Sequence, residues 1–164
     1  MAMTQVPPTS AFAIRQATPS DTKGLVALLH DSFRTTWEPV VTPAAARAYW
    51  ESDRAARYVA EMGSEFRVAV GTDVVAGMVH WRGDFVHALH VLSAWRRRGV
   101  ATRLMDEAEA RIAEAGHAAV RLETDTFNHA SQAFYRSRGY REVHRYPDTE
   151  WASGLTTLLL RKAL

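Results

Sequence analysis

Three short apolar runs joined by two glycine turns constrain this chain more than any other feature. "EFRVAV" (65–70) leads through "GTD" into "VVAGMVHW" (74–81), which leads through "RGD" into "FVHALHVL" (85–92). Turns this short leave no room for a crossover, so the three runs form an antiparallel meander. After Ala94 the period changes. Leu104, Ala108, Ile112 and Ala115 recur at helical spacing, and Glu107 stands four residues before Arg111. Gly116 ends that helix and "AAVRLET" (118–124) reads as the next strand. A strand reached through a long helix returns parallel to its predecessor, by a right-handed crossover.

The remaining segments fit around this centre. "FAIRQA" (12–17) alternates as a strand, and Thr18, Pro19 and Asp21 open a helix carrying Leu25, Leu28, Leu29 and Phe33 on one stripe. Thr42 and Pro43 open "AAARAYWESDRAARYVAE" (44–61), one or two short helices whose poor apolar face suits a place over a cleft. Asn128 and Gly139 bracket another short helix, and "YREVHRY" (140–146) and "LTTLLLRKAL" (155–164) are the last strands. The expected fold is a mixed α/β (α+β) domain, with a mostly antiparallel sheet, one parallel pair of strands and helices on both faces. Residues 1–164 read as one domain, preceded over about residues 1–10 by a tail containing Pro7 and Pro8.

Composition excludes several chemistries. With no cysteine, the chain has no disulfide, thiolate zinc site or cysteine nucleophile. No two histidines have helical ligand spacing, so no metal is expected. A formal net charge of +2 is no nucleic-acid footprint. The N-terminal "MAMTQVPPTSAFAI" lacks a basic n-region and an apolar h-region, and no apolar run approaches a membrane span, so a cytoplasmic location without membrane contact is expected.

The stretch "AWRRRGVATRLM" (94–105) carries the strongest chemical signal. A strand that ends in a glycine turn and feeds a helix presents unpaired N–H groups and the positive end of the helix dipole beyond the strand tip. Gly99 and small Ala101 let an anion approach the backbone, while Arg96, Arg97 and Arg98 add charge-assisted hydrogen bonds. From the residues alone, a solvated basic corner fits equally well.

Arg96-x-x-Gly99-x-Ala101 resembles the Q/R-x-x-G-x-G/A motif of the GNAT acyltransferases, the superfamily of acetyl-CoA-dependent N-acetyltransferases. The resemblance extends to "LHV" (89–91) before the motif and to "LETDTFNHASQAFYRSRGY" after it, where Asn128, Phe134, Tyr135, Gly139 and Tyr140 match the family's second signature. It implies the GNAT fold, with acetyl-CoA held between splayed fourth and fifth strands. The amides of residues 97–102, including Val100 and Thr102, would cradle the diphosphate. The backbone of Leu89 and Val91 would pair with the pantetheine arm, and Val91 N–H would face the thioester oxygen. Asn128 and Ser131 fall among the cofactor contacts. Departures from the pattern are Ser93 near a frequent proline, Ser131 for alanine and Ala101 for glycine.

Acetyl transfer to an amine needs a deprotonated nucleophile, a polarised carbonyl and a proton for the departing thiolate. By the resemblance, Tyr135 is the acid. Glu123 matches the base of ribosomal-protein alanine N-acetyltransferases, and His87 is a second candidate base. The strand period of two puts His87 and His90 on opposite faces, so at most one of them is expected in the cleft. His80, Asp125 and His129 rank lower. Asn128 also has a local explanation as a helix N-cap.

The acceptor side would comprise Trp37, Tyr49, Trp50 and Tyr58, with Tyr146, Asp148, Glu150 and Trp151. Aromatics interleaved with acids suit a cationic amine, whether a small molecule, a peptide N-terminus or a lysine, and equally suit packing at a homodimer interface. A non-catalytic acyl-CoA sensor of the same fold is the alternative. Nucleic-acid binding through Arg96, Arg97, Arg98 and Arg103 lacks a broad basic face.

Overall fold

The computed structural model describes residues 11–149 and 153–164. Within them seven strands form one sheet: β1 (Ala13–Gln16), β2 (Arg67–Gly71), β3 (Val74–Arg82), β4 (Phe85–Val91), β5 (Ala119–Asp125), β6 (Arg141–Pro147) and β7 (Thr156–Ala163). Their spatial order is β1-β2-β3-β4-β5-β7-β6, with every neighbouring pair antiparallel except β4 and β5. The expected meander and crossover are both present.

Among the described residues five α-helices cover the sheet: α1 (Thr22–Ser32), α2 (Pro43–Glu51), α3 (Arg54–Met62), α4 (Val100–Glu114) and α5 (His129–Ser137). The segment 44–61 resolves into two helices because Asp53 breaks it in a left-handed conformation, φ 51°. Helix α1 runs on into a π turn, Phe33–Trp37, that periodicity did not predict.

Two apolar layers sandwich the sheet. On one face Val100, Leu104, Met105, Ala108 and Ile112 of α4 and Tyr135 of α5 pack against Val79, Val86, Val120 and Leu122. On the other, Leu25, Leu28 and Leu29 of α1 with Ala55 and Val59 of α3 pack against Val68, Val75 and Met78. Full burial of a leucine such as Leu104 contributes roughly 1.5–3 kcal/mol.

A buried polar cluster fixes α4 and α5 relative to the sheet. Glu109 accepts from Tyr140 Oη (2.8 Å), Arg138 Nη2 (2.9 Å) and Lys162 Nζ (2.9 Å). Burial pushes its carboxyl up, but these three donors outweigh burial and hold it below the ordinary glutamate value. Helix α5, which brings Tyr135 to the site, is therefore tied both to α4 and to β7.

Candidate active site

β4 and β5 pair at only two positions, Phe85 with Arg121 and Val86 with Leu122. At this point the register of β3 against β4 shifts, so that Trp81 faces Val86, His80 faces Ala88 and His87 is the extra residue. Such a bulge bends its strand and interrupts the ladder. Beyond it β4 and β5 no longer pair, and a cleft of about 1010 Å³ lies among their side chains and the helices above.

Backbone parity sets what the gap offers. Leu92 donates its N–H to Ala76 O (2.8 Å). Antiparallel alternation then turns His90 toward β3, and the N–H and C=O groups of Leu89 and Val91 toward the gap. Both residues expected to pair with a cofactor arm thus present free strand edge.

The bulge also corrects the expectation for the two histidines. Because two successive residues, His87 and Ala88, share a face, the alternation restarts, and His87 and His90 both lie on the α1–α3 side. The His87 ring is 5.3 Å from His80, and His90, paired with Met78, is 6.0 Å from Trp37. Both line the cleft. Burial, aided by His80 and Arg82, lowers the His87 imidazole below its ordinary value, and burial takes His90 down to about 4.

Tyr135 reaches the cleft from the opposite face. Buried at 6% exposure and edge-on to Tyr140, its phenol is pushed well above the usual tyrosine value by desolvation. Asn128 caps α5 by accepting the N–H of Ser131 (3.1 Å), and Ser131 Oγ accepts from the Thr124 hydroxyl (3.0 Å). Both line the cleft as well. Leu122 packs beneath α4, so its neighbour Glu123 projects to the α1–α3 face. There Tyr146 donates to Glu123 Oε1 (2.7 Å).

The basic turn sits at the tip of β4. Arg97 and Gly99 both adopt left-handed backbone, φ 61° and 80°. A Cβ on Gly99 would meet nothing within 4 Å, so glycine is there for the backbone angle and the open approach. The first N–H to bond back into α4 is that of Arg103, to Gly99 O (3.1 Å). The preceding amides of Val100, Ala101 and Thr102 have no intrahelical acceptor. Arg96 donates to Thr35 Oγ1 (2.8 Å) and Arg98 lies over the Trp95 ring at 5.0 Å, so these two arginines leave the turn in different directions. Asp31 accepts both the N–H (2.7 Å) and the hydroxyl (2.8 Å) of Ser93, fixing the turn to α1.

Gly77, which sequence reading passed over, seats this helix N-terminus. A Cβ there would lie 2.8 Å from Val100 Cγ1 and 3.0 Å from Leu104 Cδ1. The isolated glycine inside an apolar strand was the available signal, since it marks close approach of another element. Val91 and residues 96–102 are not among the cleft's walls, whereas Leu89, Asn128, Ser131 and Tyr135 are. The arrangement fits an extended thioester carrier whose diphosphate meets the α4 amides and whose arm runs along β4.

On the α1–α3 side the walls include Trp37, Tyr49, Tyr58 and Asp148, as expected, but also Arg54, Arg57, Arg82 and Arg121, which the aromatic-and-acid expectation left out. Trp50 instead packs on His30 and Phe33 and donates to Glu38 (2.8 Å). Glu150 and Trp151 lie outside the described residues. Tyr49 stacks on Phe33 at 3.6 Å, and burial pushes its phenol up to about 12.

His80, ranked low from sequence, is partnered on both ring nitrogens. It is 2% exposed, with Tyr58 Oη 2.6 Å from Nδ1 and Glu65 Oε2 2.7 Å from Nε2. Arg82 grips the same carboxylate through Nε (2.8 Å) and Nη2 (2.6 Å). Among the described residues no group of three or more histidines and carboxylates is arranged to hold a metal, and no helix is long and apolar enough to cross a membrane.

These features are those of an acetyltransferase (GNAT) fold. The sequence profile of the acetyltransferase (GNAT) family matches residues 24–140, and the chain belongs to that family. A GCN5-related N-acetyltransferase from Rhodopseudomonas palustris superposes with a TM-score of 0.77 at 22% identity, covering 94% of this chain and 97% of the other. The PaiA N-acetyltransferase of Thermoplasma acidophilum, solved with coenzyme A, gives 0.77 at 15% identity over 94% and 99%. The ribosomal-protein-alanine N-acetyltransferase of Brucella melitensis gives 0.68 at 22% identity over 93% and 99%. An uncharacterized protein of Mycobacterium leprae is 38% identical over 77 residues, 47% of this chain, which spans about a fifth (21%) of that relative's length.

Proposed function

We propose that the protein transfers the acetyl group of acetyl-CoA to a primary amine by direct attack in a ternary complex. The observation that carries this reading is the unpaired edge of β4, which runs from the bulge at His87 to the Gly99 turn. The coenzyme A complex of the structurally similar PaiA N-acetyltransferase supports the same cofactor here.

Acetyl-CoA supplies an activated thioester carbonyl. The amides of residues 97–102 hold its diphosphate, the edge groups of Leu89 and Val91 align its arm, and Val91 N–H faces the carbonyl oxygen as that oxygen gains charge. Tyr135 stands on the α4–α5 face, where its phenol, kept protonated by burial, donates to the departing sulfur. Glu123 stands on the other face beside Tyr146 and takes a proton from the attacking nitrogen. Acid and base thus address the thioester through opposite sides of the sheet. With no cysteine in the chain, no acyl-cysteine intermediate is available.

Calorimetric titration with acetyl-CoA, followed by a free-thiol assay against a panel of amines and short peptides, tests the proposal. Binding with thiol release above hydrolysis is expected, and Glu123→Gln should lower kcat on the order of 100-fold with acetyl-CoA affinity unchanged. Binding with no release against any amine would favour a sensor; no binding would overturn both readings.

A further inference from the structure

We infer that Tyr58, backed by His80 and Glu65, is a second proton acceptor of this site and deprotonates the incoming ammonium ion before attack. The inference rests on the acetyltransferase reading and specifies how its acceptor is activated.

The bonding pattern dictates the direction of the chain. The Glu65 carboxylate, held at about 2 chiefly by Arg82 and then by His80, only accepts, so His80 Nε2 carries the proton between them. In the neutral tautomer that carries its proton on Nε2, Nδ1 is bare and accepts from the Tyr58 hydroxyl. This is an oriented carboxylate–imidazole–phenol series, with the carboxylate at the rear and the phenol toward the cleft. Tyr58 and His80 both line the cleft, and the His80 ring contacts that of His87 at the bulge where β4 leaves β5. A histidine required only for packing needs one or two partners; this one has its carboxylate fixed in turn by a bidentate arginine.

The proton count gives such a group a task. An alkylamine arrives protonated at neutral pH and loses two protons on becoming an amide, whereas the leaving thiolate takes up one. The ammonium N–H bond breaks and its proton passes to Tyr58 Oη, while the phenolic proton of Tyr58 passes to His80 Nδ1. The resulting imidazolium sits against Glu65. The neutral amine attacks the carbonyl carbon, the C–S bond breaks, Tyr135 protonates the sulfur, and Glu123 accepts the second nitrogen-bound proton. As product leaves, Glu123 gives up its proton to solvent, the Tyr135 phenolate takes one up, and His80 returns its proton through Tyr58 to solvent. Charged and titratable groups lining the same cleft include Arg54, Arg57 and Glu61 on α3, His80 and Arg82 on β3, His87 and His90 on β4, and Arg121, Glu123 and Asp125 on β5, with Tyr49, Tyr135 and Asp148, and Glu65 lies behind His80.

Tyr58→Phe keeps the ring and removes the hydroxyl. With the alkylamine that the wild type acetylates fastest, kcat at pH 7 should fall about 100-fold and KM for acetyl-CoA should not change. With hydroxylamine, which is already neutral at pH 7, the loss should be less than about 3-fold. Equal losses for both nucleophiles, or none for the alkylamine, overturn the relay. A readout independent of turnover is the ¹⁵N shift of His80: protonation at Nε2 is expected, and protonation at Nδ1 overturns the inference. Failure of every amine with the Nε2 tautomer intact would refute the acetyltransferase reading, and the relay's catalytic role with it. Turnover with the wrong tautomer would refute the relay alone.

Discussion

Trp37 donates its indole N–H to Asp125 Oδ2 at 2.8 Å, joining the π turn after α1 to the end of β5. The same indole lies 6.0 Å from His90 of β4, so one side chain touches both strands that frame the gap. Replacing Trp37 with Phe removes the hydrogen bond and keeps an aromatic body. Free-thiol release without any amine should rise several-fold as water gains entry, and kcat/KM for the amine should fall about 10-fold. Measuring thiol release with and without acceptor separates the two effects.

Tyr135→Phe should lower kcat on the order of 100-fold while calorimetry shows the same acetyl-CoA affinity. The ring is buried against Tyr140, so the phenylalanine keeps the packing and loses only the hydroxyl. Unchanged turnover would remove Tyr135 as the acid.

Gly99→Val and Gly77→Ala should fail differently. At Gly99 the space is open but φ is 80°, so valine displaces the turn's backbone and acetyl-CoA affinity should fall at least 10-fold with the core intact. At Gly77 the backbone is ordinary strand but the new methyl presses on Val100, Leu104 and the His90 carbonyl oxygen, which should cost about 1–3 kcal/mol of stability as well as affinity. Thermal denaturation beside calorimetry distinguishes the two.

Asp21 makes the fold acid-sensitive in a defined window. The paired hydrogen bonds from Arg15, with the Thr18 N–H, hold its carboxyl at about 2 against an ordinary 3.8. A folded-state value below the unfolded one means that this stabilisation is complete above about pH 4 and is lost as pH falls toward 2. Discounted for the exposed Arg15 side, it is about 1–2 kcal/mol at neutral pH. Asp21→Asn should lower the Tm at pH 7 and leave it nearly unchanged at pH 2.

The meander, the crossover and the Gly99 turn were legible because each is written locally, in apolar period and glycine position. The opposed placement of Tyr135 and Glu123 emerged only with the structure, because it depends on which face of β5 packs beneath α4. What sequence could not carry was the bulge: nothing in "FVHALHVL" distinguishes a regular strand from one with an extra residue at His87, and strict alternation separated His87 from His90. The His80 series was hidden for a related reason. Its partners lie 22 and 15 residues away, on α3 and just before β2, and only tertiary packing joins them. The cue that remained was a histidine at the end of the apolar run "VVAGMVH", a buried polar group that must find partners.

The extra residue in β4 has a further consequence. With one residue deleted at position 87, β4 would keep step with β3, its far half would lie flat beside β5, and the parallel ladder that now stops at Val86 and Leu122 would close like a zipper toward Val91. Such a chain would gain interstrand hydrogen bonds and lose the opening in its sheet. The protein stands one residue away from a more regular sheet, and the interstrand hydrogen bonds it forgoes there leave a cleft open in the middle of it.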